Sequence, residues 1–277
     1  MSLGETRVAC IGVGMMGGAL MRAVLKVVDG KNLVVSAGKR ATATSFAKET
    51  GCNAAASNCE AVAAADVVFL AVKPFLIATV VQEVAHLLAG KTVVSMAAGL
   101  KLATIQEVYR SAISSSSSPL APVEWMRIMP NLPVVVGEGM VALCGGQETA
   151  PEALQLVGSL LAAAGRVEVV EEKLMDAVTA ISGSGPAYGF IFIEALADAA
   201  VKLGMSRQQA YIYAAQTLKG AAAMQLETGR HPADLKDGVC SPAGTTIAAV
   251  EALEQKGFRS SIMAAATASY NRSVELG

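Results

Sequence analysis

The chain has 277 residues, of which 53% are hydrophobic and 16% charged, and its formal net charge is −1. This length predicts one large domain or two ordinary ones. The small net charge and the lack of a basic block argue against nucleic acid as a partner. No uninterrupted apolar stretch approaches the ~18 residues of a membrane span. The excess of apolar residues, many of them alanine, is better explained by burial between subunits.

The cysteines and histidines offer little basis for a metal site, since there are five scattered cysteines and two histidines. The cysteines have no paired spacing, so we expect reduced packing residues in a cytoplasmic protein. The N-terminus lacks a charged segment followed by an apolar one, which a secretory signal would have. A run of five serines at residues 114–118 is typical of a surface loop.

A glycine-rich turn follows the first apolar run of the chain. Residues 8–11 are apolar, residues 19–28 have a helical pattern, and between them lie Gly12, Gly14 and Gly17. Strand, glycine turn and helix together are the context of a dinucleotide site. The first glycine suits the tight turn, the second lets a pyrophosphate approach the backbone, and the third lets the helix pack on the strand. An ordinary glycine-rich turn is the alternative.

The end of the second predicted strand, residues 32–36, indicates which dinucleotide binds. An NAD site usually carries an acidic residue about 20 residues beyond the glycines, where it binds the ribose 2′-hydroxyl. This chain has instead the hydroxyl of Ser36 and the cations Lys39 and Arg40. These groups attract a 2′-phosphate, so we expect NADP in preference to NAD. The alternative for the two cations is a solvated helix start.

Two further strands are predicted to end near the same ligand. Residues 66–72 form a continuous apolar run, which is typical of a strand buried on both faces of a parallel sheet. It ends at Lys73 and Pro74, and ligands bind at the carboxyl ends of such strands. Lys73 is therefore a candidate site cation. A second buried strand, residues 92–96, leads into small residues beside which a flat ring fits.

The remainder of the first half is predicted to complete the sheet. Residues 125–129 read as a strand that ends at a rigid turn around Asn131, which either offers its amide to a ligand or is a plain turn residue. Residues 134–144 predict an edge hairpin. A helix over residues 151–164 then leads to a last strand over residues 166–170.

From about residue 173 the pattern is almost entirely helical. Residues 188–203 are apolar around most of the helix circumference. In a small domain, such a helix suggests a partner subunit. Ser206 and Gln209 form a capping box that begins a helix over residues 207–228.

The predicted plan is an α/β dinucleotide-binding domain over residues 1–165 and an all-helical domain over residues 166–277. Two stretches of the helical half, residues 182–188 and 237–246, are richer in glycine and serine than packing requires. The second places hydroxyls and free N–H groups before a helix at residues 247–256. We interpret it as an anion site sized for a carboxylate, with an elaborate N-cap as the alternative.

Three segments give the chain its resemblance to the pyrroline-5-carboxylate reductases. They are Ala71-Val72-Lys73-Pro74, Ser182-Gly183-Ser184-Gly185-Pro186-Ala187-Tyr188, and the stretch from His231 through Ser241-Pro242-Ala243-Gly244-Thr245-Thr246. The resemblance covers essentially the whole chain. It implies a Rossmann domain followed by a helical dimerisation domain, with dimers that sometimes assemble into decamers. It also implies the last step of proline biosynthesis, in which NAD(P)H reduces the cyclic imine L-1-pyrroline-5-carboxylate to L-proline, with NADPH preferred and NADH usable.

The resemblance also implies the site residues. The cofactor cleft comprises Ile11, Gly12, Val13, Gly14, Met15, Met16, Gly17, Ser36, Lys39, Arg40, Asn58, Ala71, Val72, Lys73, Pro74, Met96, Ala97 and Ala98. The substrate carboxylate and ring are assigned to Ser241, Gly244, Thr245 and Thr246. Thr246 is the implied catalytic residue, because it would hydrogen-bond the ring nitrogen. The chain departs from many members in having Ala243 before Gly244, and from some in having Gly229 near the position of a glutamate.

The lack of a carboxylate dyad or a histidine constellation fits an iminium substrate, which needs little protein acid. The protein then supplies mainly position. We hypothesise that Thr246 orients the nitrogen and relays a proton. One rival is a β-hydroxyacid dehydrogenase, which shares the glycine pattern but needs a catalytic lysine in a glycine-rich context that the helical half lacks. The other is a non-enzymatic NADP-binding sensor, which has no need of a second ligand site.

Overall fold

The computed structural model describes residues 3–114 and 121–276. The chain forms two compact units. The first runs from the N-terminus to Gly183 and takes in the segment from Ser269 onward, and the second comprises Ser184–Ala268. Of the serine run predicted as a loop, residues 115–118 lie outside the described ranges.

The first unit is built on one eight-stranded sheet with the order β3-β2-β1-β4-β5-β6-β7-β8. Strands β1 to β6 are parallel, β7 is antiparallel to β6, and β8 is parallel to β7. The first six strands have the order of a dinucleotide-binding fold, which reverses between β1 and β4 and confirms the predicted α/β class. The strands are β1 (Val8–Ile11), β2 (Leu33–Ser36), β3 (Asn53–Ala54), β4 (Val67–Leu70), β5 (Thr92–Ser95), β6 (Glu124–Met129), β7 (Gly139–Gly145) and β8 (Gly165–Val169).

Helices cover both faces of this sheet, as its continuous apolar strands require. Every residue of β1, β4 and β5 is buried. Alternate strand residues point to opposite faces: Cys10 and Phe69 join one apolar cluster, and Ile11 and Leu70 join the other. The helices of this unit are α1 (Met15–Val24), α2 (Arg40–Thr50), α3 (Asn58–Ala63), α4 (Ile77–Val84), α5 (Leu102–Ile113), α6 (Pro151–Leu161) and α7 (Met175–Val178).

The cysteines are free thiols, and two of them lie deep in the sheet. Burial raises the pKa of the Cys10 thiol to about 12. It raises the pKa of Cys144 to about 11. Both side chains are therefore protonated, unreactive packing groups at neutral pH.

The edge hairpin predicted for residues 134–144 is wrong. Leu132–Val136 is a 3-10 helix, and β7 lies inside the sheet between β6 and β8. Pro133 lacks the N–H group that a ladder strand needs. Gly137 ends this 3-10 helix as its C-cap, with a φ of +77°.

The first unit extends beyond the boundary predicted at residue 165. Strand β8 pairs with β7 from Gly139 opposite Gly165 to Leu143 opposite Val169. The strand therefore carries the chain back into the sheet, and the contacts of this unit continue to Gly183.

The second unit is helical throughout. It contains α8 (Gly185–Lys202), α9 (Arg207–Thr228), α10 (Pro232–Val239), α11 (Thr245–Gln255) and the first part of α12 (Phe258–Leu276). Of the predicted capping box, the N-cap is confirmed, since the Ser206 hydroxyl accepts a hydrogen bond from the Gln209 N–H at 3.4 Å. The Gln209 Oε1 accepts from that same hydroxyl at 2.8 Å. None of the helices in the described ranges has the length and apolar character of a membrane span.

Candidate dinucleotide and substrate sites

Four neighbouring parallel strands end in one row at the same edge of the sheet. Ile11 lies opposite both Ser36 and Leu70, and Leu70 lies opposite Ser95. The loops that follow these four residues contain most of the cofactor residues proposed from the sequence. The structure thus brings them together at the carboxyl edge, where α/β sheets bind ligands.

The glycines of the β1–α1 turn have different surroundings. Gly12 has a φ of +102°, and a Cβ there would lie 2.6 Å from the Ala71 carbonyl oxygen. A Cβ on Gly17 would lie 2.1 Å from the Gly12 carbonyl oxygen. A Cβ on Gly14 would meet nothing within 4 Å. The outer two glycines are therefore required by packing, whereas the middle one leaves open space of the kind that a pyrophosphate needs.

The electrostatics of this edge suit an anion. Gly14 is the N-cap of α1 and forms no side-chain capping bond, and the first turn of the helix has no acidic residue. The partial positive charge of the helix N-terminus is therefore not offset locally. Lys39 is the N-cap of α2 and Arg40 its first residue, and both are exposed.

Ser36 has a partner that the sequence did not reveal. Its side chain is buried at the end of β2, and its hydroxyl donates to Asn58 Oδ1 at 2.8 Å. Asn58 Nδ2 in turn donates to Glu83 Oε2 at 2.7 Å. The hydroxyl hydrogen of Ser36 thus bonds within the protein, although the sequence led us to expect it to face a 2′-phosphate. Glu83, on α4, carries no sequence signal for this role.

The remaining cleft residues lie in the loops after β4 and β5. Lys73 and Pro74 are exposed, and Lys73 precedes a 3-10 helix over Pro74–Leu76. Ala71, Val72 and Met96 are half-buried, Ala97 is buried, and Ala98 is exposed.

Asn131 links two segments that are distant in the chain, a role beyond the plain turn residue that the sequence offered as the alternative to a ligand contact. Its Oδ1 accepts a hydrogen bond from the Met140 N–H at 2.9 Å. Its Nδ2 donates to the Ser182 carbonyl oxygen at 3.0 Å. The buried amide thereby ties the start of β7 to the π-helical turn Thr179–Gly183 that precedes the second unit.

In the second unit, residues 241–244 form a tight turn before α11. The Gly244 N–H donates to the Ser241 carbonyl oxygen at 3.0 Å, with Pro242 second in the turn. Ala243, in the third position, has a φ of +57°. A Cβ on Gly244 would lie 2.3 Å from the Ser241 Oγ, which would have to rotate away, and 3.0 Å from the Ser241 carbonyl oxygen, so the space at this position is tight.

The first turn of α11 is suited to an anion. Gly244 is its N-cap and forms no side-chain capping bond, and the first turn contains no acidic residue. Thr245 is exposed, and Thr246 is half-buried. A hydrogen bond from Lys236 to Asp237 raises the pKa of that lysine, which stays cationic on the preceding helix α10. His231 caps α10, since its Nδ1 accepts from the Ala233 N–H at 3.2 Å.

Both halves of the chain match family models. Residues 172–276 match the family described as pyrroline-5-carboxylate reductase dimerisation. Residues 7–99 match the family described as NADP oxidoreductase coenzyme F420-dependent. The first of these families supports a homo-oligomer.

Curated relatives match along nearly the full length. The chain is 39% identical to the pyrroline-5-carboxylate reductase of Methanosarcina acetivorans, with 98% of each chain covered. It is 39% identical to that of Escherichia coli, again with 98% of each covered. With pyrroline-5-carboxylate reductase 2 of Homo sapiens it shares 41% identity over 97% of this chain and 83% of the relative.

Solved structures agree with these relatives. The chain is similar to the pyrroline carboxylate reductase of Plasmodium falciparum with NADP bound, with a TM-score of 0.85 and 30% identity over 99% of both chains. The reductase of Coxiella burnetii gives a TM-score of 0.87 and 31% identity, also over 99% of both.

The Rossmann sheet with its glycine turn, the two family models and the curated relatives together define an NADP-dependent oxidoreductase that acts on an imine. At 39% identity over 98% of its length to a curated relative, the chain belongs to the pyrroline-5-carboxylate reductase family. This membership favours the reductase over a β-hydroxyacid dehydrogenase or a sensor.

Proposed function

We propose that the protein reduces L-1-pyrroline-5-carboxylate to L-proline, the last step of proline biosynthesis, with NADPH preferred and NADH usable. The observation that carries the proposal is the turn of residues 241–244, which leaves the N-terminus of α11 without a side-chain cap. The same chain carries the glycine turn at the carboxyl edge of the sheet. A carboxylate site and a dinucleotide site are the two sites that this reaction requires.

The residues of the cofactor cleft bind and orient the dinucleotide. The backbone around Gly14 takes the pyrophosphate, because an open approach there meets the N-terminus of α1. Lys39 and Arg40 attract the 2′-phosphate. The loops of residues 71–74 and 96–98 line the rest of the cleft. When bound, the nicotinamide supplies a hydride for the imine carbon.

Residues 241–246, which comprise the turn before α11 and the start of that helix, bind the substrate. Ser241 and Thr245 hold the carboxylate, since hydroxyl and backbone N–H groups at a helix N-terminus stabilise an anion. Gly244, whose own N–H closes the turn onto Ser241, has no side chain to block the approach of the substrate. Thr246 hydrogen-bonds the ring nitrogen, which must carry a proton for the adjacent carbon to accept a hydride. Fixing that nitrogen raises turnover through orientation.

The first test is the oxidation of NADPH, followed by absorbance, with L-1-pyrroline-5-carboxylate as substrate and NADH as the comparison. We expect oxidation that depends on both components and gives proline.

In Thr246→Ala, kcat falls about 10- to 100-fold, while KM for NADPH changes less than about threefold, because the lost contact serves the substrate. Thr246→Ser keeps the hydroxyl and should retain most of the turnover. Unchanged turnover in Thr246→Ala would refute the role of this residue.

The assembly that we propose is a homodimer through the helical unit, which further dimers extend to a decamer. The helical unit supports this proposal, since it exposes large apolar side chains such as Ile191, Ile212 and Met263. We also propose a cytoplasmic location, which the five free cysteines support. Cell fractionation tests that location.

A further inference from the structure

Three polar side chains at the ribose end of the cleft form a continuous hydrogen-bonded chain. Ser36 ends β2, Asn58 begins α3, and Glu83 lies on α4. Glu83 is exposed, Asn58 half-buried and Ser36 buried, so the chain runs from solvent to the strand end. In Rossmann domains this strand end is where the ribose that distinguishes NAD from NADP binds.

The direction of each hydrogen bond follows from the atoms involved. Ser36 Oγ and Asn58 Oδ1 are 2.8 Å apart. An amide oxygen has no hydrogen, so the hydroxyl must donate. The amide is held in this orientation by Glu83, because a carboxylate only accepts and therefore requires the Nδ2 of Asn58 on its side, at 2.7 Å.

This orientation leaves Ser36 with lone pairs and no hydrogen for a ligand. Lone pairs accept from the 2′-hydroxyl of NADH, but a 2′-phosphate dianion has no hydrogen to donate. Turning the amide of Asn58 over would let its Nδ2 donate to Ser36 and free the hydroxyl to donate to the phosphate. The same rotation of the amide would also place Asn58 Oδ1 against the carboxylate of Glu83. Two acceptors would then lie at hydrogen-bond distance, which is unfavourable.

We propose that Glu83 is a positioning residue for coenzyme selectivity. Acting through Asn58, it holds Ser36 as an acceptor, and so it opposes the attraction that Lys39 and Arg40 exert on a 2′-phosphate. The inference rests on the proposed function only in placing a nicotinamide dinucleotide at this edge of the sheet.

The test compares the binding of two cofactor fragments to the full chain by calorimetry. The fragments are adenosine 2′,5′-bisphosphate, which carries the 2′-phosphate, and 5′-AMP, which carries the 2′-hydroxyl. In Glu83→Gln the new amide can donate to Asn58 Oδ1, so the amide of Asn58 is free to turn over. We expect the affinity for the bisphosphate to rise about tenfold, the lower end of the effect of one hydrogen bond to a charged group, with the affinity for 5′-AMP unchanged. The kcat/KM ratio of NADPH to NADH should rise by a similar factor.

A double-variant series separates this mechanism from the simple loss of a negative charge. If Glu83 acts through Asn58, Glu83→Gln has no further effect in an Asn58→Ala background. If only its charge matters, the gain persists there and shrinks with added salt. That persistence would overturn the proposal, as would an unchanged bisphosphate affinity in the single variant. Glu107→Gln is the matched control, since it removes an exposed carboxylate on α5, which faces Arg110.

Ser36→Ala gives an independent check that does not depend on a change at Glu83. Because the Ser36 hydroxyl offers only lone pairs, its loss should weaken the binding of 5′-AMP about threefold and leave the binding of the bisphosphate nearly unchanged. The opposite pattern would contradict the proposal. A chain that binds both fragments as expected but reduces no imine would refute the proposed function alone, whereas a chain that binds neither fragment would overturn this inference.

Discussion

At the scale of single residues, Ala243 is the one non-glycine residue with a positive φ in the described part of the chain, at +57°. It is third in a turn whose second residue is Pro242, and this combination favours glycine or asparagine in the third position. An L-residue in the left-handed region costs about 1–2 kcal/mol. The turn of residues 241–244 is therefore built on a strained alanine, at the position where the sequence departs from the Gly-Gly of many family members.

Replacing this alanine should stabilise the protein. Ala243→Gly removes the left-handed cost but increases the entropy of the unfolded chain, so we expect a net gain of about 0.5–1 kcal/mol. The midpoint of urea denaturation measures it. Ala249→Gly, at an exposed position inside α11, is the control, and it should lose about 1 kcal/mol because glycine is a poor helix former. A lower midpoint in Ala243→Gly would show that the turn carries no such strain.

At the scale of elements, the six residues 12–17, which connect β1 to α1 and include the first turn of the helix, combine two demands. The helix must begin close to the strand, which leaves no room for a Cβ at Gly12 or Gly17. The exposed start of the helix must also remain open to a ligand, as it does at Gly14. The spacing of the motif meets both demands, because its outer glycines face the fold and its middle glycine faces solvent.

The two kinds of glycine should respond differently to the same added methyl group. Gly17→Ala forces the backbone to move and should destabilise the protein by about 3 kcal/mol, at the upper end of overpacking costs. Gly14→Ala should cost at most about 1 kcal/mol, the penalty of a poorer N-cap. This variant should nevertheless weaken the binding of NADPH about tenfold or more, because the added methyl group occupies the space through which the pyrophosphate approaches the backbone. Thermal denaturation and NADPH fluorescence titration measure the two effects, and NADPH affinity unchanged in Gly14→Ala would contradict our placement of the pyrophosphate.

At the scale of the whole molecule, the helical unit has too little core to be stable alone. Its fully buried apolar residues are Ala197, Ala210 and Ala214, three small side chains at the contact of α8 and α9. Domains of this size usually bury a larger fraction of their apolar surface. Meanwhile Ile191 is 66% and Ile212 60% exposed. Exposed apolar surface on this scale marks an interface, in agreement with the homo-oligomer that the family supports.

A charge placed on this surface should separate the subunits. We expect Ile212→Glu to lower the molar mass in solution, measured by light scattering after gel filtration, because an unpaired carboxylate would be buried at the interface. Ile191→Glu should act in the same way. Gln155→Glu, at an exposed position on α6 in the first unit, adds the same charge and should leave the mass unchanged. If both isoleucine variants keep the mass of the wild type, the interface lies elsewhere.

Features that neighbouring residues specify could be predicted from the sequence, whereas features that depend on distant contacts could not. The turn around Gly14, the run that became β4 and the N-cap at Ser206 were predicted because each is specified within a few residues. The position of β7 inside the sheet was missed, since its two neighbours are set by pairing along its length. The domain boundary was predicted too early, near residue 165. Strand β8 pairs with β7, from which it is separated in the chain by helix α6, and the sequence does not show this pairing.

By itself, the sequence determined the α/β class, the glycine turn between β1 and α1, the glycine- and serine-rich turn before α11 and the resemblance that led to the reductase family. These depend on short motifs and on the period of the hydrophobic pattern, which are properties of neighbouring residues. Only the tertiary structure decided that Asn131 serves the fold, that Ala243 is strained, and that Ser36 donates to Asn58, whose amide in turn donates to Glu83. The direction of a hydrogen bond depends on every group that surrounds it, and those groups come from separate elements, with Asn58 and Glu83 25 residues apart in the chain.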